Sequence, residues 1–144
     1  MQNPHRMHGS CAARDGQAVL LLGPPGAGKS DLILRLLGRG FELVADDQVD
    51  IADGQATAPA TLAGLLEVRG LGILRLPHVP TARLALVVDL GKRAERLPEP
   101  AMHEGLKVSL VYVDAAAASA PDRIILALDC ALGRIAQVAG AFAA

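Results

Sequence analysis

Aromatic side chains are scarce in this sequence, making up 2% of its 144 residues. Proteins that bind single-stranded nucleic acid usually need aromatic rings on which bases stack. An excess of basic residues is also missing, since 14 Lys and Arg face 15 Asp and Glu. We therefore expect no nucleic-acid partner.

Long apolar runs and cysteines are lacking as well. No run of 18 or more apolar residues occurs, and nothing resembles a signal peptide; we therefore expect a cytoplasmic protein without membrane contact. The two cysteines, Cys11 and Cys130, have no metal-ligand spacing and are expected to be free, buried thiols. With 51% hydrophobic residues, the chain is predicted to form a single domain over residues 1–144, with residues 1–7 disordered.

The hydrophobic pattern predicts strands that alternate with helices. Residues 18–22 form a short apolar run typical of a buried strand, and a helical pattern follows from Ser30 to Gly38. Further strands are predicted at residues 41–45, 84–88 and 108–113. This order indicates an α/β fold with a central sheet flanked by helices.

The two ends of the chain give weaker patterns. Residues 1–17 are polar and predicted to be irregular, whereas residues 124–128 fit either a strand or the start of a helix. From Ala131 onward, apolar residues recur at helical spacing, which predicts a C-terminal helix.

The loop after the first predicted strand satisfies the pattern G-x-x-x-x-G-K-[ST]. Its residues are Gly23, Pro24, Pro25, Gly26, Ala27, Gly28, Lys29 and Ser30. Glycines let the backbone wrap round phosphate oxygens, the helix that follows presents its positive end, and the lysine adds a charge. The serine hydroxyl can ligate Mg²⁺. The pattern predicts that this loop binds the β- and γ-phosphates of ATP or a similar nucleotide.

A phosphoryl-transfer enzyme also needs a carboxylate near the metal and a base for the acceptor hydroxyl. Three places compete for these roles. Asp46 and Asp47 end the strand after the loop helix, Asp89 ends a later strand in the manner of a Walker B aspartate, and Glu67 lies between apolar residues. On the residues alone, Asp46 and Asp47 also fit a solvated turn, and Glu67 fits a strand with one wet face.

Several segments together resemble the bacterial HPr kinase/phosphorylase family. They are His8-Gly9, the loop 23–30, residues 39–47, which end in Val44-Ala45-Asp46-Asp47, and residues 65–74, which include Leu66-Glu67-Val68-Arg69-Gly70. The last segment is far more specific than a phosphate loop. The likeness is clear from His8 to about Leu74 and weaker to about Leu128. It implies a P-loop domain of the HPr kinase/PEP carboxykinase-like type, in a short form similar to the C-terminal catalytic domain alone.

The resemblance also implies roles for particular residues. Lys29 and its loop bind ATP or, in the family, pyrophosphate, with Ser30 and Glu67 holding Mg²⁺. Asp47 takes the proton of the acceptor serine and returns it in the reverse reaction, with Asp46 beside it. Three further catalytic residues are implied: His8, Arg69 in a catalytic loop, and Arg123, which is similar to a family arginine that precedes a late strand.

The implied reaction is Mg²⁺-dependent transfer of a phosphoryl group from ATP to a serine of an HPr-type phosphocarrier of the phosphotransferase system. Phosphorolysis of the phosphorylated carrier is implied as a second reaction. Members of the family assemble as hexamers, so a homo-oligomer is the corresponding expectation. Two alternatives stay open: a regulatory module that binds nucleotide without transfer, and a small-molecule P-loop kinase that uses Asp89.

Overall fold

The fold of this computed structural model is a mixed sheet with helices on one face, described for residues 5–143. The strands are β1 (His5–His8), β2 (Ser10–Arg14), β3 (Gln17–Leu22), β4 (Glu42–Ala45), β5 (Gln48–Ala52), β6 (Gln55–Thr57), β7 (Leu65–Val68), β8 (Gly72–Arg75), β9 (Ala82–Asp89), β10 (Met102–His103) and β11 (Val108–Tyr112). The helices are α1 (Lys29–Leu37) and α2 (Ala120–Ala131). The predicted α/β class is confirmed.

The main sheet has the order β1-β5-β6-β9-β3-β2-β4, and β11 joins it beside β9. The central strand β9 runs parallel to both β3 and β11, whereas β2 runs antiparallel to β3 and to β4. Strands β7 and β8 form a separate hairpin. As a result, the carboxyl ends of β3, β4, β9 and β11 lie at one edge, where ligands bind in open α/β sheets.

Two hydrophobic clusters lie on opposite faces of the sheet. One joins α1 and α2 to the sheet, with Leu32, Leu36 and Ile124 fully buried. The other contains no helix residue and is closed by β4, β5 and β6, with Val44 and Val49 fully buried. Both helices therefore cover one face, and strands that fold back cover the other.

The prediction for the N-terminal residues is wrong where the structure describes them. Residues 5–8 form β1, which pairs with β5 from His5↔Ile51 to His8↔Gln48. Residues 10–14 form β2 in the interior of the sheet. The backbone hydrogen bonds of these ladders order the segment despite its polar composition. Residues 1–4 of the predicted disordered segment lie outside the described part of the chain.

The predicted C-terminal helix is also wrong in its position. Residues 124–128 belong to α2, which ends at Ala131, and the residues from Leu132 to 143 contain no further helix. The cause is Gly133, whose φ of 75° lies in the left-handed region. Its N–H donates to the Cys130 oxygen at 3.0 Å and that of Arg134 to the Asp129 oxygen at 2.8 Å. This pair of bonds is a Schellman motif, which ends a helix.

The cysteines differ in their burial. Cys11 is free and fully buried in β2, and this burial raises the pKa of its thiol to about 12. Cys130 is free but only partly buried in α2. The expectation of a buried thiol therefore holds for Cys11 only.

Candidate functional site

The phosphate loop connects β3 to α1 at the carboxyl edge of the sheet. Gly28 caps α1 with a φ of 95°, which glycine adopts without the steric cost that other residues would have. The Lys29 ammonium folds back onto the loop and donates to the carbonyl oxygens of Gly23 at 2.7 Å and Pro24 at 3.1 Å. The loop thus holds its lysine within reach of any group that the loop encloses.

Asp46 lies directly below this loop and is 6% exposed. Its carboxylate accepts hydrogen bonds from the Ser30 hydroxyl at 2.8 Å and from the Ser10 hydroxyl at 2.7 Å. The Glu67 backbone N–H completes the set at 3.4 Å. A buried carboxylate without such donors would be costly, so these contacts fix its position. Ser10 is the residue of this group that the sequence reasoning missed.

Asp47, the next residue, points the other way. Its φ is 70°, in the tight turn between β4 and β5, and its side chain is 69% exposed. The Asp47 Oδ1 lies 3.8 Å from the His8 Nδ1, and its backbone oxygen accepts from the Gly9 N–H at 3.1 Å. The two aspartates therefore divide: Asp46 contacts the phosphate-loop serine, and Asp47 faces solvent beside a histidine.

The β7–β8 hairpin brings the next predicted residues to the same place. Leu66 is fully buried in the cluster that contains α1, which fixes the hairpin beside the phosphate loop. The side chains of Glu67 and, in the turn that follows, of Arg69 are exposed. The structure thus gathers Lys29, Ser30, Asp46 and the Glu67 backbone, with His8 adjacent to Asp47.

Arg123 lies elsewhere. It does not precede a strand, as the resemblance implied, but lies in the first turns of α2, where its Nε donates to the Ser119 hydroxyl at 2.8 Å. The side chain lines a cavity of about 300 Å³ whose other lining residues include Glu95, Tyr112 and Cys130. No hydrogen bond found among residues 5–143 joins Arg123 to the phosphate loop.

Asp89, the alternative metal-side carboxylate, is engaged in a local turn. It ends β9, and its Oδ1 accepts a hydrogen bond from the Gly91 N–H at 2.7 Å. The carboxylate that contacts the Ser30 hydroxyl belongs to Asp46. This contact favours the Asp46–Asp47 pair over Asp89 as the acidic part of the site.

The site consists of a strand, a glycine-rich loop onto which the lysine folds back, and a helix whose first serine contacts a buried carboxylate. These features define the class, which is an α/β domain of the P-loop type. A family model for the HPr serine kinase C-terminal domain matches residues 1–97. The chain belongs to this family.

Individual relatives agree with the family model. The chain is 47% identical to the HPr kinase/phosphorylase of Clostridium novyi over 76 residues, which cover 50% of this chain and 25% of that protein. It is 39% identical to that of Cupriavidus metallidurans over 130 residues, which cover 77% of this chain and 40% of that protein. The chain therefore spans less than half of the length of these relatives.

A solved structure shares the fold. The HPr(Ser) kinase/phosphatase from Coxiella burnetii superposes with a TM-score of 0.69 at 21% identity, covering 86% of this chain and 87% of that one. At this identity the likeness establishes the fold alone. Separately, no helix among the described residues is long and apolar enough to cross a membrane.

Proposed function

We propose that this protein is an ATP- and Mg²⁺-dependent serine kinase that acts on an HPr-type phosphocarrier of the phosphotransferase system. The same site would also remove the phosphoryl group by phosphorolysis, with inorganic phosphate as the acceptor and pyrophosphate as the product. One observation carries the proposal: of the two adjacent aspartates, Asp46 accepts a hydrogen bond from the phosphate-loop serine, and Asp47 lies beside an exposed histidine. Asp46 is then the carboxylate beside the serine that would ligate the metal, and Asp47 is the carboxylate that is open to the acceptor serine. Membership of the HPr serine kinase family supports the class of acceptor.

The loop of residues 23–30 is the proposed site for the β- and γ-phosphates. Its backbone N–H groups and the N-terminal end of α1 offer donors to phosphate oxygens. The Lys29 ammonium, now bonded to the carbonyls of Gly23 and Pro24, turns to the phosphates when they are present. The ammonium then pairs with a charged phosphate instead of with two neutral carbonyl groups. Hydrogen bonds between charged groups are stronger, so this exchange favours binding.

The residues at the site fit Mg²⁺. Ser30 and Glu67 would hold the ion through hard oxygen atoms, and Asp46 orients the Ser30 hydroxyl by accepting its proton in a hydrogen bond. Among residues 5–143 no group of three or more His, Cys, Asp or Glu could hold a metal. Bound Mg²⁺ supplies neutralisation of phosphate charge.

Asp47 is the proposed base for the acceptor serine. Its exposed carboxylate is open to a protein substrate. His8 lies 3.8 Å away, beyond hydrogen-bond distance, and is assigned to the same acceptor side of the site. In phosphorolysis, inorganic phosphate takes the phosphoryl group, and the same carboxyl group returns the proton to the serine oxygen as its bond to phosphorus breaks. We assign Arg69 to the negative charge of the transferred phosphoryl group. Arg123 is not assigned this role, because it lies in α2 and its Nε donates to the Ser119 hydroxyl.

The experiment that tests this function is phosphoryl transfer from γ-labelled ATP, with Mg²⁺, to the cognate phosphocarrier. We expect label on the carrier with the wild-type protein. Asp47→Asn should reduce the rate by at least about 100-fold, the usual effect of removing a general base. Asp89→Asn is the matched control, because it removes a strand-end carboxylate charge but retains an acceptor for the Gly91 N–H, and it should leave the rate unchanged.

Two outcomes would contradict the proposal in different ways. Nucleotide binding without any label on the carrier would indicate a regulatory module. Loss of activity in Asp89→Asn together with an active Asp47→Asn would indicate that Asp89 is the essential carboxylate, as in the alternative of a small-molecule P-loop kinase.

A further inference from the structure

Arg35 of α1 reaches away from its own helix to the backbone of another element. Its side chain is 30% exposed, and its guanidinium donates to the carbonyl oxygens of Ala115 at 2.5 Å and Ala117 at 3.4 Å. These carbonyls belong to the turn of residues 114–119 between β11 and α2. One side chain thus joins two successive bends of that turn to the helix that begins at the phosphate loop.

The third nitrogen of Arg35 is less well satisfied. Its Nε lies 3.2 Å from the Asp31 Oδ2, an i, i+4 ion pair, yet it is buried and lacks a well-aligned hydrogen bond. Burial of a polar group without a partner costs free energy. The geometry of this arginine is therefore set by the two carbonyls of the turn and not by its carboxylate neighbour.

The turn that Arg35 holds lies against the phosphate loop. A Cβ atom built on Gly28 would be 3.3 Å from the Cβ of Ala115, so the two backbones are in close contact. Gly28 is the N-cap of α1, and its oxygen accepts from the Leu32 N–H at 3.0 Å. A shift of the turn would change the space available to the Gly28 backbone. The direction of the first N–H groups of the helix would change with it.

We propose that Arg35 is a positioning residue for phosphate binding: it holds the 114–119 turn against Gly28 and so keeps the loop in the conformation that receives the β- and γ-phosphates of Mg·ATP. The inference rests on the proposed function for the identity of the ligand. The juxtaposition of Arg35, the turn and Gly28 is independent of it. Because Arg35 does not itself reach the phosphates in this role, its effect is on preorganisation of the loop.

Arg39 provides a matched control. It follows α1 and forms an exposed ion pair with Asp122 of α2, so it also connects these two parts of the chain. It makes no hydrogen bond to the 114–119 turn among the described residues. Arg35→Met removes the guanidinium that bonds to the turn but keeps an apolar side chain of similar length. Arg35→Lys keeps the positive charge but not the two-pronged guanidinium. Arg39→Met removes only the exposed ion pair with Asp122.

Calorimetric titration with Mg·ATP measures the effect. We expect Arg35→Met to raise Kd about tenfold, which corresponds to losing about one hydrogen bond of a charged group. Arg35→Lys should fall between Arg35→Met and the wild type, and Arg39→Met should stay within twofold of the wild type. In the transfer assay, Arg35→Met should raise KM for ATP and leave kcat within about threefold, because the lost interaction serves binding.

Hydrogen exchange gives a readout that does not depend on the ligand. Amides at residues 26–30 and 116–117 should exchange faster in Arg35→Met, or in Arg35→Lys if the first variant does not fold, and at the wild-type rate in Arg39→Met. Unchanged exchange in the Arg35 variants, or a Kd equal to that of the wild type, would overturn the inference. If the wild type itself does not bind Mg·ATP, the proposed function fails, whereas unchanged exchange would defeat the role of Arg35 alone.

Discussion

At the residue scale, the different surroundings of Asp46, which is buried, and Asp47, which is exposed, are the feature that sequence reasoning could not resolve. Both residues end the same predicted strand and have the same side-chain chemistry. Strand β4 ends at Ala45, and the φ of 70° at Asp47 turns the chain so that the two side chains diverge. Which of the two is buried depends on partners distant in the sequence. For Asp46 these partners are Ser10, 36 residues away, and Ser30, 16 residues away.

Ser10 gives a prediction about stability. Its hydroxyl is buried and donates to Asp46 at 2.7 Å. Ser10→Ala leaves that carboxylate with one donor fewer, so we expect a loss of about 1–3 kcal/mol in the free energy of unfolding, measured by urea denaturation. Ser119→Ala, which removes a hydroxyl bonded to the exposed Arg123, should change stability by less than about 0.5 kcal/mol. Equal effects of the two substitutions would refute the importance of the buried contact.

At the element scale, the segment from β3 through the phosphate loop to α1 was predicted because its signals are local. The apolar run, the glycines and the helical spacing lie within about one strand and one helix of sequence. Strand β1 was missed because it is a polar edge strand whose order comes from pairing with β5. The sequence alone contains no nearby sign of that pairing.

Two hairpins could have been found from the sequence. Asp15-Gly16 joins β2 to β3, and Asp53-Gly54 joins β5 to β6, each as a two-residue turn. All four residues have φ between 52° and 77°. Asp-Gly is the preferred sequence for such type I′ turns, so both dipeptides were usable signals for the paired strands on either side.

The attachment of β1 to β5 gives a prediction about pH. Arg6 in β1 donates to both oxygens of Asp50 in β5, at 2.8 and 3.0 Å. The hydrogen bond from Arg6 lowers the pKa of Asp50 below its usual 3.8. A carboxyl group with a lowered folded-state pKa stabilises the fold above the unfolded-state value, and this stabilisation is lost as pH falls through the folded-state value.

We therefore expect Arg6→Met to lower Tm at pH 7, with a difference from the wild type that is constant down to about pH 4 and shrinks at lower pH. Thermal unfolding followed by circular dichroism between pH 2 and 7 measures it. A control is Arg83→Met, which removes an exposed arginine from β9. A Tm difference for Arg6→Met that persists unchanged at the lowest pH would show that the ion pair is not its cause.

At the scale of the whole molecule, the topology explains why the site lies where it does. Strands β3, β4, β9 and β11 all end at the edge that holds the phosphate loop, the two aspartates and the 114–119 turn. The helices cover one face and strands the other, so this edge is where several loops meet. The fold class and the position of the loop were predicted from sequence, whereas the strands covering the second face depend on long-range pairing.

The central claim is that residues 23–30 bind the polyphosphate of a nucleotide through Lys29, and calorimetry with Mg·ATP tests it most directly. Lys107→Met is the control, because Lys107 immediately precedes β11 and so lies at the opposite end of that parallel strand from the loop. We predict binding by the wild type and by Lys107→Met, and a Kd about 10- to 100-fold higher for Lys29→Met. No heat with the wild type, or the same Kd for Lys29→Met, would contradict the account.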